Sequence, residues 1–331
     1  MPPNTIYVVC IGATVGKTNL SRCKASCNQQ INAVIPYIPE QSDFLYYCIF
    51  YFFNLSKHRY IGEQTLPIVN KSSFSNLKII IPPVPEQQKI AAILTTQDKV
   101  IGLKEKLLAE KQRQNKYLMQ MLLTGKKRLP GFSGEWETER LQKIATRHAT
   151  RNSVGNSNTL TISAQYGLIN QAEFFNKAVA SDDKSAYFLL SRDDFAYNKS
   201  YSNGYPFGAI KRLTRYDVGI VSPLYICFRF ISRKVSIDYM EQYFEAGFMN
   251  HEIQAFAQEG ARNHGLLNIS VDDFFNSKIL LPPIEEQIAI AEVLSTADHE
   301  IDLLRQDIEQ EKQKKKALMQ MLLTGIVRTT V

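Results

Sequence analysis

The stretch Phe74-Ser-Asn-Leu-Lys-Ile-Ile-Ile-Pro-Pro-Val-Pro-Glu-Gln87 returns 200 residues later as Phe274-Phe-Asn-Ser-Lys-Ile-Leu-Leu-Pro-Pro-Ile-Glu-Glu-Gln287. The repeat continues without a gap to an identical end, Leu118-Met-Gln-Met-Leu-Leu-Thr-Gly125 and its second copy, so that 24 of the 52 positions from 74 to 125 are identical. The sequences between the two copies are unlike each other. A long repeat with dissimilar sequence between its copies predicts two similar scaffold pieces that carry two different working surfaces.

Each copy of the repeat has the same predicted order of elements. The segments 78–81 and 278–281 are short and apolar, and each is stopped by a Pro-Pro pair, which predicts two buried strands. Glu86 and Glu286 then lie in the first turn of a predicted helix, where a carboxylate is favourable. About 38 helical residues at 1.5 Å each would make a rod of roughly 57 Å, ending at a glycine.

Apolar residues on both predicted rods recur at alternating spacings of three and four, which is typical of a coiled-coil seam. The seam is apolar at both ends and polar near 111–115 and 311–315. Because the two seams share length and phase, we expect the rods to pair with each other; the alternative is two separate helices buried in separate domains. The predicted seam residues are Ile90, Leu94, Ile101, Leu108, Leu118 and Leu122 in the first copy, and Ile290, Leu294, Ile301, Leu304, Ile308, Leu318 and Leu322 in the second.

Composition sets broad limits on the protein. The 331 residues carry 39 Lys and Arg against 32 Asp and Glu, a net charge of +7, which favours a polyanionic partner without requiring one. The five cysteines are scattered, with no second Cys/His pair at zinc-ligand spacing, so we expect free thiols and no metal site. The longest apolar run, 44–53, is too short to span a bilayer, and we expect a cytoplasmic protein without a membrane partner.

No catalytic motif is complete. The stretch from Gly12 to Thr18 resembles a phosphate-binding P-loop, but it has three residues between its glycines where the motif has four, which favours a tight turn between strands. A nuclease carboxylate pair could be read at Asp182-Asp183-Lys184, although no Pro-Asp strand precedes it. Methyltransferase loops do not occur. We therefore predict no catalytic residue in this chain.

A polar, aromatic and basic tract from 197 to 215 is the strongest candidate for ligand contact. Its glycines and proline predict a loop, and Arg, Lys and Asn are the side chains that hydrogen bond to base edges, while Ser, Tyr and Thr reach phosphates. The alternative is that the tract is an ordinary surface hairpin. With the turn at 17–18 and a second glycine-flanked loop at 262–263, the predicted DNA-binding residues are Lys17, Thr18, Asn198, Lys199, Tyr201, Ser202, Asn203, Lys211, Arg212, Arg215, Arg262 and Asn263.

With the duplicated Pro-Pro helix start and the duplicated Leu-Leu-Thr-Gly helix end, the chain closely resembles the specificity subunits of type I restriction-modification systems. Ile81-Pro-Pro-Val-Pro-Glu-Gln87 and Leu281-Pro-Pro-Ile-Glu-Glu-Gln287 stand where that family joins a target-recognition domain to a spacer helix, and Gly131-Phe-Ser-Gly-Glu-Trp136 resembles the entry into the second recognition domain. The resemblance covers essentially the whole chain.

The resemblance implies an α+β fold in which two target-recognition domains are separated by two long antiparallel coiled-coil helices with pseudo-twofold repetition. Each domain would read one half of a split double-stranded DNA site, with half-sites about one to two turns apart at roughly 34 Å per turn. It further implies no catalysis and no cofactor in this chain, two methyltransferase subunits and restriction subunits as partners, and S-adenosylmethionine, ATP and Mg²⁺ on those partners.

The expected domains are a recognition domain at 1–81, a spacer helix at 82–130, a second recognition domain at 131–281 and a second spacer helix at 282–331. The first globular region has about 70 residues fewer than the second, because Phe74 lies 73 residues after Met1 and Phe274 lies 143 residues after Gly131. We expect this first domain to be partial, from a misplaced start, a natural truncation or a silent allele, and to be poorly stable alone or completed by another chain. One alternative to a working specificity subunit is a truncated or silent allele that acts only when another chain completes it. A coiled-coil scaffold without DNA contact is the remaining alternative.

Overall fold

The computed structural model describes residues 1–59, 67–163, 166–175, 183–202, 204–256, 258–259 and 267–329. The chain forms two compact units. The first unit comprises residues 1–110 and 301–331, and the second comprises residues 111–300. Each of the two long helices contributes one part to each unit.

The described elements alternate between short strands and helices. The strands are β1 Thr5–Val9, β2 Thr18–Ser21, β3 Ile31–Val34, β4 Glu137–Arg140, β5 Ala145–Arg147, β6 Leu160–Ser163, β7 Gly167–Asn170, β8 Phe188–Ser191, β9 Phe195–Asn198, β10 Ala209–Arg212, β11 Val218–Val221, β12 Ile226–Phe230, β13 Gln258–Glu259, β14 Leu267–Asn268 and β15 Lys278–Leu281. The helices are α1 Ser42–Ser56, α2 Lys71–Ser75, α3 Val84–Leu122, α4 Leu141–Ile144, α5 Gln171–Phe175, α6 Ile237–Glu245, α7 Met249–Phe256, α8 Val271–Asn276 and α9 Ile284–Leu323.

The first unit is built on a three-stranded antiparallel sheet in the order β2-β1-β3. Ile6 and Val8 of the central strand are fully buried and pack in a cluster with Ile49 and Phe53 of α1. The opposite side of α1, including Phe44, packs in another cluster with α3 and α9. Helix α1 is thus covered on two sides, which explains why the run at 44–53 is apolar around the whole helix.

The second unit contains a four-stranded antiparallel sheet in the order β10-β9-β12-β5. Its core is aromatic: Phe195 stacks on Phe228 with ring centroids 5.5 Å apart, and Tyr197 stacks on Phe274 at 5.1 Å. The described residues of this unit also form two-stranded antiparallel ladders, namely β4–β15, β6–β7, β8–β11 and β13–β14.

The two units share a common core arrangement. In each, a central strand (β1 or β9) lies between a strand that follows a glycine-containing turn (β2 or β10) and a strand that leads into a helix (β3 or β12). The short helices α2 and α8 also occupy matching positions, and the side chain of the residue that caps each one, Asn70 or Ser270, accepts a hydrogen bond from the backbone nitrogen three residues later. The repeat in the sequence is thus a repeat of structure.

The long helices run antiparallel within each unit. In the first unit, Ile90 and Leu94 of α3 pack against Met319 and Leu322 near the end of α9. In the second unit, Leu122 near the end of α3 packs in one cluster with the start of α9. This confirms the predicted α+β fold with two long coiled-coil helices.

The seam residues are buried or half-buried at every position named from the spacing. Polar contacts cross the helix pair where the apolar pattern stops. In the first unit, Lys104 donates to Asp307 and Glu311, both at 2.8 Å, and in the second unit Asn115 donates to Asp298 at 2.7 Å. Ion pairs and polar contacts therefore replace apolar packing in the middle of the seam.

The helix starts and ends follow the sequence closely. Glu86 and Glu286 lie in the first turns of α3 and α9. Gly125 and Gly325 follow the helix ends with φ values of +69° and +75°, a conformation that glycine adopts without strain. The stretch from Gly12 to Thr18 is a tight turn between β1 and β2, as predicted.

One predicted strand is wrong. Residues 278–281 form β15, which pairs with β4, but residues 78–81 form no strand among the described residues. Ile81 is 62% exposed, whereas Leu281 at the matching position is 5% exposed. A strand needs a hydrogen-bonding neighbour, and within the described part of the first unit the segment 78–81 has none.

The two compact units divide the chain within the long helices, whereas the sequence placed domain boundaries at the helix starts and ends. The predicted boundaries at 81, 130 and 281 therefore stay a prediction. No helix of the described residues is both long enough and apolar enough to cross a membrane.

Candidate nucleic-acid interface

The tract from 197 to 215 begins at the end of β9, includes the connection to β10 and all of β10, and ends beyond that strand. The two strands pair in antiparallel register, with Asn198 opposite Ala209, so the two ends of the connecting loop lie next to each other. Ser202 and Tyr205 form an isolated bridge within the loop, with Tyr205 N donating to Ser202 O at 2.8 Å. This contact between Ser202 and Tyr205 holds two parts of the loop together.

Buried groups fix the base of this loop. Tyr197 is fully buried, and its hydroxyl donates to the carbonyl of Phe207 at 2.6 Å. Gly208 has φ +82°, and a Cβ there would lie 2.2 Å from the carbonyl oxygen of Asn198. Only glycine allows the returning strand to approach β9 this closely.

Lys211 belongs to this framework. Its side chain is 6% exposed, forms an ion pair with Glu245 and donates to the Tyr205 hydroxyl at 3.1 Å. The Tyr205 hydroxyl in turn donates to Glu245 at 2.8 Å. Burial and the neighbouring Glu245 carboxylate raise the pKa of Tyr205, so the phenol keeps its proton. Lys211 therefore joins the loop to α6, which differs from its expected role at a DNA surface.

Arg212 has a similar structural position. Its guanidinium contacts three carboxylates, Asp193 at 2.6 Å, Asp238 at 2.6 Å and Glu241 at 3.0 Å. The side chain is 15% exposed. Because Asp238, Glu241 and Glu245 all lie on α6, this helix neutralises both cations of β10.

The remaining described residues of the tract fall into two groups. Asn198, Lys199 and Ser202 are half-buried; the Asn198 side chain accepts from the backbone of Ser200 at 3.1 Å, and the Lys199 ammonium donates to the carbonyl of Ile269 at 3.4 Å. Tyr201 is 64% exposed, and Arg215 is exposed as well. The described part of the tract thus exposes an aromatic ring at Tyr201, in the loop, and a guanidinium at Arg215, beyond β10.

Three predicted residues cannot be placed. Asn203, Arg262 and Asn263 lie outside the described residues, as does Asp182 of the carboxylate triplet. The neighbouring Asp183 accepts from the backbone of Ser185 at 2.9 Å, and hydrogen bonds to Ser185 lower the pKa of Asp183. Among the described residues, no group of three or more His, Cys, Asp or Glu side chains is arranged to hold a metal ion.

In the first unit, Lys17 and Thr18 lie beside a cavity of about 540 Å³. Lys17 is exposed at the end of the tight turn, and Thr18 is half-buried with its hydroxyl donating to Gly16 O at 3.2 Å. Tyr7 and Phe50 contribute the aromatic part of the cavity wall. An exposed ammonium beside aromatic rings suits contact with a nucleic acid.

The exposed cations of the second unit that were not among the predicted DNA-binding residues include Arg147 and Arg151. Arg147 ends β5, and Arg151 follows it in the turn that leads to β6. Between them, the ring of His148 hydrogen bonds to the carbonyl of Leu189 at 2.9 Å. The basic spacing Arg147-His-Ala-Thr-Arg151 was the available signal, but the tract lacks the glycines that marked the other loops.

Comparison with known proteins gives one consistent match. Residues 1–113 match the family model described as the type I restriction modification DNA specificity domain. The chain is 26% identical over 322 residues to the type I restriction enzyme MjaVIII specificity subunit of Methanocaldococcus jannaschii, covering 85% of this chain and 70% of that protein. It is 25% identical over 318 residues to the putative type I restriction enzyme MjaX specificity subunit of the same organism, covering 90% and 69%.

Solved structures agree at the level of the fold. The S subunit of the type I restriction-modification system from M. genitalium has a TM-score of 0.59 and 13% identity, covering 98% of this chain and 83% of that one. The HsdS subunit from Thermoanaerobacter tengcongensis has a TM-score of 0.50 and 16% identity, covering 99% and 82%. The chain is therefore related to type I specificity subunits over most of its length, which confirms the resemblance stated from the sequence.

Proposed function

We propose that this chain is the specificity subunit of a type I restriction-modification complex and that it reads a bipartite DNA sequence. One observation carries the proposal: two copies of one framework, each with a sheet and its own part of the helix pair, support loops of unrelated sequence. The match of residues 1–113 to a DNA specificity domain supports the assignment of the ligand.

The domains of the proposal are the recognition domains at 1–81 and 131–281 and the spacer helices at 82–130 and 282–331. We assign DNA contact to Lys17 and Thr18 in the first unit. In the second unit we assign it to the loop residues that face outward or flank the loop base. These are Asn198, Lys199, Tyr201, Ser202 and Arg215, with Asn203, Arg262 and Asn263 retained from the sequence.

Lys211 and Arg212 do not belong to the proposed contact surface. Each is held by carboxylates of the same unit, and moving either to a phosphate would leave a carboxylate such as Glu245 without its cation. Arg147 and Arg151 are added to the surface as exposed cations, because phosphate contacts come from flexible basic side chains.

Specificity subunits are the non-catalytic part of type I restriction systems, and we propose the same for this chain. S-adenosylmethionine, ATP and Mg²⁺ would then be bound by two methyltransferase subunits and by the restriction subunits that join them. Because the proposed complex would act on cellular DNA together with these partners, we propose that it is cytoplasmic.

The test uses this chain together with its methyltransferase subunit. Mapping of methylated sites in cells that carry both should reveal one split recognition sequence. Tyr201→Ala and Arg215→Ala should each relax the sequence preference at one half-site if the side chain contacts a base, or weaken modification of all sites evenly if it contacts a phosphate. Lys116→Ala, a change at an exposed position of α3, should do neither.

Two results would contradict the proposal. The first is DNA cleavage or methyl transfer by the purified chain alone with S-adenosylmethionine, ATP and Mg²⁺, which would make the chain an enzyme. The second is an unchanged methylation pattern when Lys17, Tyr201 and Arg215 are all replaced by alanine, which would favour a scaffold without DNA contact.

A further inference from the structure

In the second unit, one continuous segment closes an edge of the domain. Trp136 donates from its indole nitrogen to Glu286 at 3.1 Å. The strand β4 that follows pairs antiparallel with β15, with Glu137 opposite Leu281 and Arg140 opposite Lys278. The segment therefore begins with an aromatic anchor and continues as a paired strand.

The same segment then enters the core. Leu141 and Ile144 of α4 are 0% and 2% exposed, and the backbone nitrogen of Leu141 donates to Ser277 O at 2.9 Å. The strand β5 next pairs with the outer edge of β12, with Ala145 opposite Phe230. Two strands and two apolar side chains thus cover an edge formed by α8, β15 and β12.

The first unit contains the same receiving elements at the matching positions. Helix α2 corresponds to α8, the segment 78–81 to β15, and β3 to β12. Arg328 donates two hydrogen bonds to Glu86, at 2.7 and 2.6 Å, as Arg128 does to Glu286. The site that receives the closing segment is therefore built twice.

In the first unit this site is open. The strand β3 is an edge of its sheet, and in the described part of the unit nothing pairs with its outer side or with 78–81. A groove of about 420 Å³ lies between them, with an apolar lining that includes Val34, Ile35, Phe74 and Ile79. It occupies the place where Leu141 and Ile144 enter the core of the second unit.

Exposure of apolar side chains marks the same edge. Ile80 and Ile81 are 49% and 62% exposed, and Ile35 beyond β3 is 50% exposed. Unpaired strand edges with exposed apolar side chains are the sites at which polypeptides add a further strand. This patch is therefore suited to a peptide backbone.

The position of the tryptophan is open as well. A Cβ built on Gly125 would lie 3.4 Å from the Trp136 ring, whereas one on Gly325 would meet nothing within 4 Å. Trp136 is the one tryptophan of the sequence, and it serves the second unit. In the first unit the glycine of this site, Gly325, thus faces open space, while the Glu86 carboxylate is buried and bound by Arg328 and the Thr329 backbone.

We propose that the open edge of the first unit binds a polypeptide segment from outside residues 1–331 that follows the pattern of residues 134–147. Its required chemistry is a tryptophan beside Gly325, a strand against 78–81, a Leu-x-x-Ile turn in the groove and a second strand on β3. The segment is a partner of the proposed specificity subunit, but its binding can be tested without DNA.

The probe is a fluorescently labelled synthetic peptide covering residues 132–147, added to the full chain. We expect saturable 1:1 binding by fluorescence anisotropy. The same peptide with Leu141→Asp and Ile144→Asp should bind at least about tenfold more weakly, because both apolar anchors would bring a carboxylate into the groove.

A chain variant shows which unit the peptide occupies. Ile81→Asp lies at an exposed position, so it should leave the fold intact while weakening peptide binding at least about tenfold. Leu55→Asp, a change of similar exposure elsewhere in the first unit, is the matched control and should bind the peptide normally. Hydrogen exchange should slow at 31–36 and 78–81 when peptide is added.

Three outcomes would overturn the inference. They are the absence of saturable binding, binding that Ile81→Asp does not change, and slowed exchange at 278–281 without any at 78–81. Dimers of the unmodified chain that Ile81→Asp dissociates would assign the edge to a second copy and would overturn it equally. Each outcome can occur whether or not the chain binds DNA, so failure here differs from failure of the proposed function.

Discussion

The guanidinium of Arg128 donates two hydrogen bonds to the carboxylate of Glu286, at 2.5 and 2.6 Å, across the start of α9. Glu286 is fully buried, and Trp136 donates to the same carboxylate. The Arg that follows the first long helix thus binds the Glu that starts the second. The reciprocal pair, Arg328 with Glu86, has the same geometry in the first unit.

Arg128→Ala should lower the free energy of unfolding of the second unit by roughly 3 kcal/mol, because it leaves the buried Glu286 carboxylate without its cation. Urea denaturation followed by Trp136 fluorescence measures this directly. Arg328→Ala should change the Trp136 transition less, because Arg328 binds Glu86 in the first unit whereas Trp136 lies in the second. A Trp136 transition that moves equally in both variants would contradict this assignment.

Acid should weaken the helix pair of the first unit through Glu311. Hydrogen bonds from Lys104, and then from Gln97, lower the pKa of Glu311 from its ordinary value near 4.5 to about 2. A carboxyl whose pKa is lower in the folded state contributes stability above the unfolded pKa, and this contribution is lost as the pH falls from about 4.5 to about 2. Helical circular dichroism at graded pH should therefore show a smaller acid response in Glu311→Gln.

The control for this titration is Glu309→Gln. Glu309 is exposed on the same helix and contacts Gln313 within it, so its replacement should leave the acid response unchanged. An acid response that is identical in Glu311→Gln and in the unmodified chain would rule out Glu311 as its source.

Substitutions of Lys211 and Arg215 should differ in their effects, because the first should change the stability of the fold and the second should change DNA contact. Lys211→Ala breaks a buried pair with Glu245 and should lower the free energy of unfolding by about 2–3 kcal/mol. Arg215→Ala should change it by less than about 0.5 kcal/mol but reduce the salt dependence of DNA binding by about one phosphate contact. Anisotropy titrations at several salt concentrations, paired with urea melts, give both quantities for each variant.

Gly208 should tolerate no side chain, while Gly204 should tolerate one at modest cost. Both have φ above +80°, so alanine at either site costs about 1–2 kcal/mol of backbone strain. At Gly208 the added Cβ would also collide with the Asn198 carbonyl at 2.2 Å, whereas at Gly204 it would meet nothing within 4 Å. We expect Gly208→Ala to lower the midpoint of urea unfolding more than Gly204→Ala does. Equal midpoints in the two variants would show that β9 can move away from the added Cβ.

Local patterns predicted the long helices well because their information is local. The spacing of apolar residues, Glu86 in the first turn and Gly125 after the last turn each act over a few residues. The seam and its polar interruption are therefore evident in the order of residues alone. The state of the segment 78–81 is not, because a strand is defined by a neighbour that the local sequence does not contain.

The sequence indicated the position of the candidate loop but not the partners of its cations. The loop between β9 and β10 was correctly placed, but Lys211 and Arg212 are bound by carboxylates of α6, about 30 residues further along the chain. No local pattern shows that a basic strand and an acidic helix face each other. Exposure of the remaining residues, Tyr201 and Arg215 among them, likewise depends on the assembled domain.

By itself, the sequence determined that this protein contains one framework twice, that two long helices carry complementary seams, and that the intervening sequences differ. Only the tertiary structure decided which cations remain available and which edge is open. The physical reason is that helix periodicity and turn chemistry act between neighbours in the chain, whereas strand pairing and charge neutralisation depend on groups that folding brings together. The closed edge at 278–281 and the open edge at 78–81 have nearly the same sequence and differ only in what lies beside them.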